Sequence, residues 1–341
     1  MSDLPAFICV PARNEALSLP TLMNALSALV HDGSPPAVCI YLDSCDDGSR
    51  ATLRGIERNY PLSLFVRESR SANKPNAGSA RRAALTMAID LLAGRDGLLF
   101  TTDADSVPRW NWLQAGREAL SQADIVAGRI IRAEGGHDAM QSRVERYYDG
   151  LYRYRRFLDP VPWESDDCHH FGGGANLAVR ASTYRAIGGF KVLPVGEDAT
   201  LLDDAARAGF RVRRDPAMSV VTSSRRDGRT EGGLAGCLRR FDAGSQPFVG
   251  DPRASAWQWR NQALARLAFS AIDDETVRSS LAERIGLTAD HVLGVARDCP
   301  NAEAFAMCVV PKSPVFADDL SLTDAERILG VLIAGERGVA A

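Results

Sequence analysis

Short, nearly continuous apolar runs alternate with stretches of helical spacing over the first 105 residues, an order that predicts a largely parallel sheet covered by helices. Ala6–Pro11 (AFICVP), Val38–Leu42 (VCIYL), Leu62–Val66 (LSLFV) and Gly97–Thr101 (GLLFT) read as strands. Their apolar positions are consecutive, not alternate, so both faces of each strand are expected to be buried. Between them, Leu17–Leu29 and Ala77–Leu92 have helical periodicity, and Ala80, Ala84, Leu85, Ala88 and Leu92 share one face of the second. Beyond Asp105 the pattern predicts a helix near Asn111–Ser121, a strand at Ile125–Ile131 and a long Arg- and Tyr-rich helix from about His137 to Phe157. Gly172–Gly174 then precede a strand at Asn176–Val179 and a short helix that stops at Gly188–Gly189. A helix from about Glu197 to Ala208 ends at Gly209, with extended segments near Phe210–Arg213 and Ser219–Thr222. From roughly Thr230 onward the pattern is mostly helical.

The chain has 341 residues, enough for a large α/β domain with a smaller appendage and a core that needs no staples. A formal charge of −3, from 40 basic and 43 acidic side chains, gives no field that would gather nucleic acid. The seven cysteines are scattered without a C-x-x-C pair, which fits a reduced, cytoplasmic setting. The first residues lack the basic-then-apolar order of a secretory signal. No window reaches the roughly 18 consecutive apolar residues of a membrane span, which leaves only peripheral lipid contact open.

Several polar clusters fall where these strands end. Asp103 and Asp105, in Thr102-Asp103-Ala104-Asp105, follow a buried strand, and the crevice at that edge is where open α/β sheets hold ligands. Two carboxylates at this spacing suit a hard divalent ion, Mg²⁺ or Mn²⁺, with positions left for phosphate oxygens; the same letters also suit an exposed acidic turn. Asp43-Ser44-Cys45-Asp46-Asp47-Gly48-Ser49 could accept from a base N–H and a ribose hydroxyl, or simply turn the chain and cap a helix. Pro11-Ala12-Arg13-Asn14-Glu15 ends the first strand. Asn73-Lys74-Pro75-Asn76, followed by Arg81-Arg82, places cations beside a helix N-terminus where an anion could dock, with a solvated basic face as the other reading. Glu197 and Asp198 could take a proton from an attacking hydroxyl or cap the helix they open. Gly172–Gly174 offer bare backbone to a sugar ring, or a tight turn.

The order of these elements carries more information than any one of them. PARNE, LDSCDDGS, NxG with nearby arginines, DAD, GGxNLAVR, GGF, GED and RAGFRV together resemble the GT-A fold glycosyltransferases of family 2, over about residues 6–225. The resemblance implies a Rossmann-like, mostly parallel central sheet flanked by helices, with a nucleotide-binding half at 1–105 and an acceptor and catalytic half at 106–229. A helical C-terminal region at 230–341 would follow. It implies a nucleotide pocket at Pro11, Ala12, Glu15, Asp43, Arg81 and Asp103, and metal binding by Asp103 and Asp105. Gly173, Gly174 and Asn176 would lie beside the donor sugar and acceptor, and the Glu197–Asp198 pair would supply the base, Asp198. The implied reaction is transfer of a sugar from a UDP- or GDP-sugar to an acceptor hydroxyl, with inversion. One departure stands out: where many relatives carry a metal-binding histidine after the last core strand, this chain reads Thr222-Ser223-Ser224-Arg225-Arg226, so Arg225 and Arg226 could hold the diphosphate directly.

A retaining transferase on the same fold, and a binding module that keeps the nucleotide pocket without catalysis, remain as alternatives. A nucleotidyltransferase or a nicotinamide dehydrogenase fits less well, because no glycine-rich loop follows the first strand. His169-His170 reads as a polar loop pair, and the aromatics at Trp110, Trp112, Tyr147, Tyr148, Tyr152, Tyr154 and Trp163 read mainly as core. Arg143, Arg146, Arg153, Arg155 and Arg156 read as a solvated helix face, with an anionic acceptor or membrane surface as the sharper reading. The C-terminal helices leave a homodimer contact open.

Overall fold

The computed structural model describes residues 4–31, 33–69, 76–133, 139–193, 195–228, 233–316 and 319–339. The expected helix start at His137, the onset at Thr230 and the Asn73-Lys74-Pro75 part of the basic motif lie outside the described residues. The elements run β1 (Ala6–Ala12), α1 (Leu19–Ser27), β2 (Ala37–Asp43), α2 (Ser49–Glu57), β3 (Leu64–Ser69), α3 (Ala77–Leu92), β4 (Leu98–Thr101) and β5 (Ser106–Pro108). Then come α4 (Trp112–Gln122), β6 (Ile125–Arg132), α5 (Ala139–Leu158), β7 (Leu177–Arg180), α6 (Ala181–Ala186), α7 (Glu197–Arg207) and β8 (Val212–Thr222). The remainder is α8 (Leu234–Asp242), β9 (Phe248–Gly250), α9 (Pro252–Ala268), α10 (Glu275–Ile285), α11 (Ala289–Asp298), α12 (Ala302–Val309), β10 (Asp319–Ser321) and α13 (Leu322–Val339).

The chain divides into two compact units: residues 1–136, 171–204 and 212–237 form the first, and 137–170, 205–211 and 238–341 the second. Thus α5 groups with the C-terminal helices.

In the first unit an eight-stranded sheet runs in the order β3-β2-β1-β4-β7-β6-β8-β5 among the described residues. β3, β2, β1 and β4 are mutually parallel, β7 is antiparallel to both β4 and β6, β6 and β8 are parallel, and β5 is antiparallel to β8. The apolar runs fill its core: Ile8, Val10, Ile40, Leu42, Leu98 and Phe100 are buried with Leu22 and Met23 of α1 and Trp112 of α4. Asn76 caps α3 by accepting from the Ser79 N–H at 2.9 Å, which fixes where that helix begins. β3 departs from the expectation of two buried faces. It is an edge strand, and its side chains are half-buried or exposed, with Phe65 38% exposed, because α3 packs on β1, β2 and β4 instead. The two extended segments expected at 210–213 and 219–222 are one strand, β8, interrupted where its register against β6 shifts between Gly128 and Arg129.

In the second unit Tyr147, Leu151 and Tyr154 of α5 pack with Ala256, Leu322, Ala325 and Leu329, so the tyrosines at helical spacing are core. A second cluster joins Ala265, Leu281, Ile285, Val292 and Phe305 of α9 to α12. Arg143 pairs with Glu326 at 2.5 Å, Arg156 with Asp166 at 2.5 Å and Arg153 with Asp167 at 3.8 Å, while the Arg155 guanidinium lies 5.9 Å from the ring centroids of Tyr152 and Trp259. Among the described residues no helix is long and apolar enough to cross a membrane.

Candidate active site

Parallel strands deliver their C-terminal ends to one edge of a sheet, and this topology uses that fact four times. Pro11 and Ala12 close β1, Asp43 closes β2, Ser69 closes β3, and Asp103 and Asp105 follow β4. Because β7 is antiparallel to β4, with Thr101 opposite Leu177, the glycines that precede β7 arrive at the same edge. Thr222, the end of β8, lies opposite Ser106, so Arg225 joins them. The result is a cavity of about 490 Å³ lined by Pro11, Ala12, Glu15, Asp43, Arg81, Asp103, Asp105, Gly173, Gly174, Glu197, Asp198 and Arg225, a size that suits a small-molecule ligand.

Arg81 of α3 ties the two halves of this wall together. Its side chain is buried, and Nη1 donates to Asp103 Oδ1 at 2.9 Å, to the Gly174 carbonyl at 2.7 Å and to Thr101 Oγ1 at 3.3 Å. Its Nε lies 3.5 Å from Glu197 Oε1. Burial opposes the guanidinium charge, but Asp103 and Glu197 more than offset it, so Arg81 is held more firmly cationic than usual. On the other side of the same peptide segment, the Gly174 N–H donates to Asp198 Oδ2 at 2.9 Å. One residue, Gly174, therefore locates both Asp198 and, through Arg81, Asp103. A Cβ there would come within 2.3 Å of the Arg81 guanidinium carbon, which is why the position requires glycine. Burial pushes the Glu197 carboxyl up; Arg81 pulls it back, and the neighbouring Asp198 charge adds to the rise.

Asp105 lies 3.3 Å from Arg225 Nη2, and the same guanidinium grips Glu15, with Nη1 2.8 Å from Oε2 and Nη2 on Oε1. The Asp105 carboxyl is pushed up to about 6, first by burial and then by the charge of Asp103, against the pull of Arg225. The charge of Asp103 raises the proton affinity of Asp105, a strain that a divalent cation such as Mg²⁺ or Mn²⁺ would relieve. Among the described residues no group of three or more His, Cys, Asp or Glu side chains is placed to hold a metal ion. A cation here would rest on Asp103, Asp105 and the oxygens of a bound phosphate or of water.

The loops that follow β1 and β2 are laced to each other. Asp47 accepts from Ser49 Oγ at 2.6 Å, from the Ser49 N–H at 3.0 Å and from the Ala16 N–H at 2.8 Å, while the Asp46 N–H donates to Asn14 Oδ1 at 2.9 Å. Burial favours the neutral acid, yet these hydrogen bonds outweigh it and hold the Asp47 carboxyl below its ordinary range. Asn14 and Ser44, flanking the cavity, both adopt left-handed backbone at φ 52° and 51°, a conformation that non-glycine residues rarely take and that clusters at binding sites. Asp43 is buried, and Arg13 Nη1 lies 3.8 Å from it.

Of the residues expected at the site, Asn176 is not on the cavity wall. It is fully buried; its Oδ1 accepts from Trp112 Nε1 at 2.7 Å, and its Nδ2 donates to the carbonyls of Arg129 at 2.8 Å and Met218 at 2.9 Å. It joins β6, β8 and α4 ahead of β7. Arg225 is among the candidate diphosphate contacts, but its grip on Glu15, 210 residues away, has no signal in the sequence. His170 Nδ1 lies 2.8 Å from Asp149 Oδ1, and His169 is buried.

The family model described as Glycosyl transferase family 2 matches residues 7–179, just over half of the chain. Comparison with curated protein sequences gives no match. Among solved structures, TarS 1-349 of S. aureus in complex with UDP-GlcNAc superposes with a TM-score of 0.51 at 14% identity, covering 89% of this chain and 90% of that chain. A structure of S. aureus TarS gives 0.50 at 13% identity, covering 89% of this chain and 55% of that one. The mannosyltransferase PcManGT of Pyrobaculum calidifontis, in complex with GDP-Man and Mn²⁺, gives 0.47 at 15% identity, covering 90% and 79%. The TarS likeness shows a shared fold.

Proposed function

We propose, because this chain belongs to glycosyl transferase family 2, that it transfers a sugar from a nucleoside-diphosphate sugar, a UDP- or GDP-sugar, to an acceptor hydroxyl with inversion at the anomeric carbon. The observation that carries the reading is the single cavity in which Gly174 positions Asp198 through its N–H and Asp103 through Arg81. A base and a diphosphate-binding wall held to one rigid peptide have the fixed separation that in-line displacement needs.

In this reading the base and ribose lie against Pro11, Ala12, Glu15 and Asp43. Asp103 and Asp105 would hold Mg²⁺ or Mn²⁺, whose chemistry there is to neutralise charge on the departing diphosphate. Asp198 accepts the proton of the acceptor hydroxyl. The freed oxygen attacks the anomeric carbon, the bond from that carbon to the diphosphate breaks on the opposite face, and the configuration inverts. Glu197 keeps Arg81 in place instead of meeting substrate, and Gly173 and Gly174 give the sugar ring a wall without side chains. Arg225 offers a bidentate guanidinium to the diphosphate once the nucleotide draws it from Glu15.

The test is incubation of the full chain with a panel of UDP- and GDP-sugars and Mn²⁺. At least one donor is hydrolysed slowly without acceptor, and Asp103→Asn abolishes that hydrolysis. Failure of every donor to bind or turn over removes the reading. Proton NMR of the anomeric signal in the fresh product separates inversion from retention.

A further inference from the structure

The second unit holds a cavity of its own, about 430 Å³, built where the segment after α5, the turn at Gly209, the outer part of α9 and the start of α12 meet. Its polar wall is a three-way ion pair. Arg266 donates through Nη1 to Asp159 and through Nε and Nη2 to Glu303, the Nε bond at 2.5 Å. One guanidinium cannot saturate two carboxylates, and the shortfall is visible: Asp159 is 4% exposed, and its Oδ2 is buried without a hydrogen-bond partner among the described residues. A buried acceptor left in that state points to a ligand donor.

The opposite character lines the rest of the cavity. Trp163 takes part with the Arg211 guanidinium 5.7 Å from its ring centroid, which fixes the indole's orientation. Leu267 on α9 is 77% exposed and lines the same space, with Pro160 and Pro162 beside it. The rim is stiff, because Asn301 both caps α12 and donates to the Gly209 carbonyl at 2.9 Å, at a glycine with φ +85°.

Two carboxylates and two guanidiniums balance in charge, so the cavity offers no net attraction to a phosphate, and its carboxylates repel one. What it offers is one carboxylate oxygen, Asp159 Oδ2, without a partner among the described residues, near a planar ring and aliphatic carbon. A pyranose has that complement: a ring of hydroxyl donors at its edge and C–H groups on its face. We infer that this cavity is a saccharide-binding site that takes a neutral sugar unit of the acceptor, away from the unit that reacts. The assignment to an acceptor rests on the glycosyl-transfer reading; the assignment to a neutral saccharide rests on the cavity.

The experiment is saturation-transfer difference NMR on the full chain with chitobiose, mannobiose and maltose at millimolar concentration, alongside thermal-shift titrations with UDP and GDP plus Mn²⁺. At least one disaccharide binds saturably, and Trp163→Ala weakens that binding by at least tenfold, with UDP or GDP shifts unchanged. Asp159→Asn does the same; Trp163→Ala decides alone if the Asn variant fails to fold by circular dichroism. Absence of binding by all three sugars, or binding that Trp163→Ala leaves intact, overturns the proposal. A nucleotide shift lost in Trp163→Ala overturns it as well. If disaccharide binding obeys the variants while no nucleotide binds, the saccharide site stands and the transfer reading falls.

Discussion

Arg81 donates to Asp103 across 2.9 Å from a guanidinium that is only 6% exposed. The same cation faces the buried Glu197 carboxylate, so its removal strands that charge in a poorly solvated wall, while Asp103 stays partly open to water. Breaking such a pair from one side costs about 3–5 kcal/mol. Arg81→Met is therefore expected to lower the urea midpoint strongly and to abolish nucleotide binding in the folded fraction. An unchanged midpoint would show that Arg81 is not the tie.

Asp198→Asn keeps an oxygen that can accept from the Gly174 N–H, now 2.9 Å from Oδ2, but it cannot take a proton. Sugar transfer is expected to fall roughly 10²- to 10⁴-fold, with the nucleotide-induced thermal shift preserved. Steady-state kinetics with the donor found in the panel checks the first outcome. Transfer at the wild-type rate would remove Asp198 from the role of base.

The Asp105 carboxyl, raised to about 6 by burial and by Asp103, makes stability depend on pH with a defined sign. Its folded value lies above the unfolded one of about 3.9, so the folded state holds the proton more tightly. That contribution is complete below about pH 4 and is lost as pH rises through 6, on the order of 3 kcal/mol at most. Asp105→Asn should flatten the decline of melting temperature between pH 4 and 6. Mn²⁺ should stabilise the wild type more at pH 7.5 than at pH 5, where protons compete for the carboxylate. Parallel pH profiles for the wild type and Asp105→Asn would refute the assignment.

Asn176→Ala removes one acceptor and one doubly used amide donor from a fully buried position. Three groups, Trp112 Nε1 and the carbonyls of Arg129 and Met218, lose partners, which costs about 2–4 kcal/mol. If the residue is a strut, chemical denaturation shows that loss while donor affinity of the folded protein is retained. A selective loss of donor affinity with full stability would place Asn176 at the ligand instead.

Local order was legible wherever one period decided it. Continuous apolar runs marked β1, β2 and β4, helical spacing marked α3, and the polar letters after each strand were bound to gather at one sheet edge once the strands were parallel. That puts PARNE, Asp43 and the DAD motif at one cavity, while the GED motif, which opens α7 and follows no strand, is joined to them in sequence only by the resemblance. Position relative to a ligand was not legible in the same way. The letters around Asn176 do not say whether its amide turns toward a sugar or into the sheet; the crowding of β6, β8 and Trp112 decided that.

Periodicity and turn chemistry are properties of neighbours in the chain, and they settled which residues would end strands and open helices. Sheet order is a property of the whole, and it decided the rest: that β3 is an edge with one face in solvent, and that Arg225 meets Glu15 across 210 residues. It also decided that Arg81, read in sequence as a cation near a helix N-terminus, becomes the buried charge joining two halves of a site. A buried cation is tolerated only where carboxylates from distant segments converge on it, and no local pattern encodes that convergence.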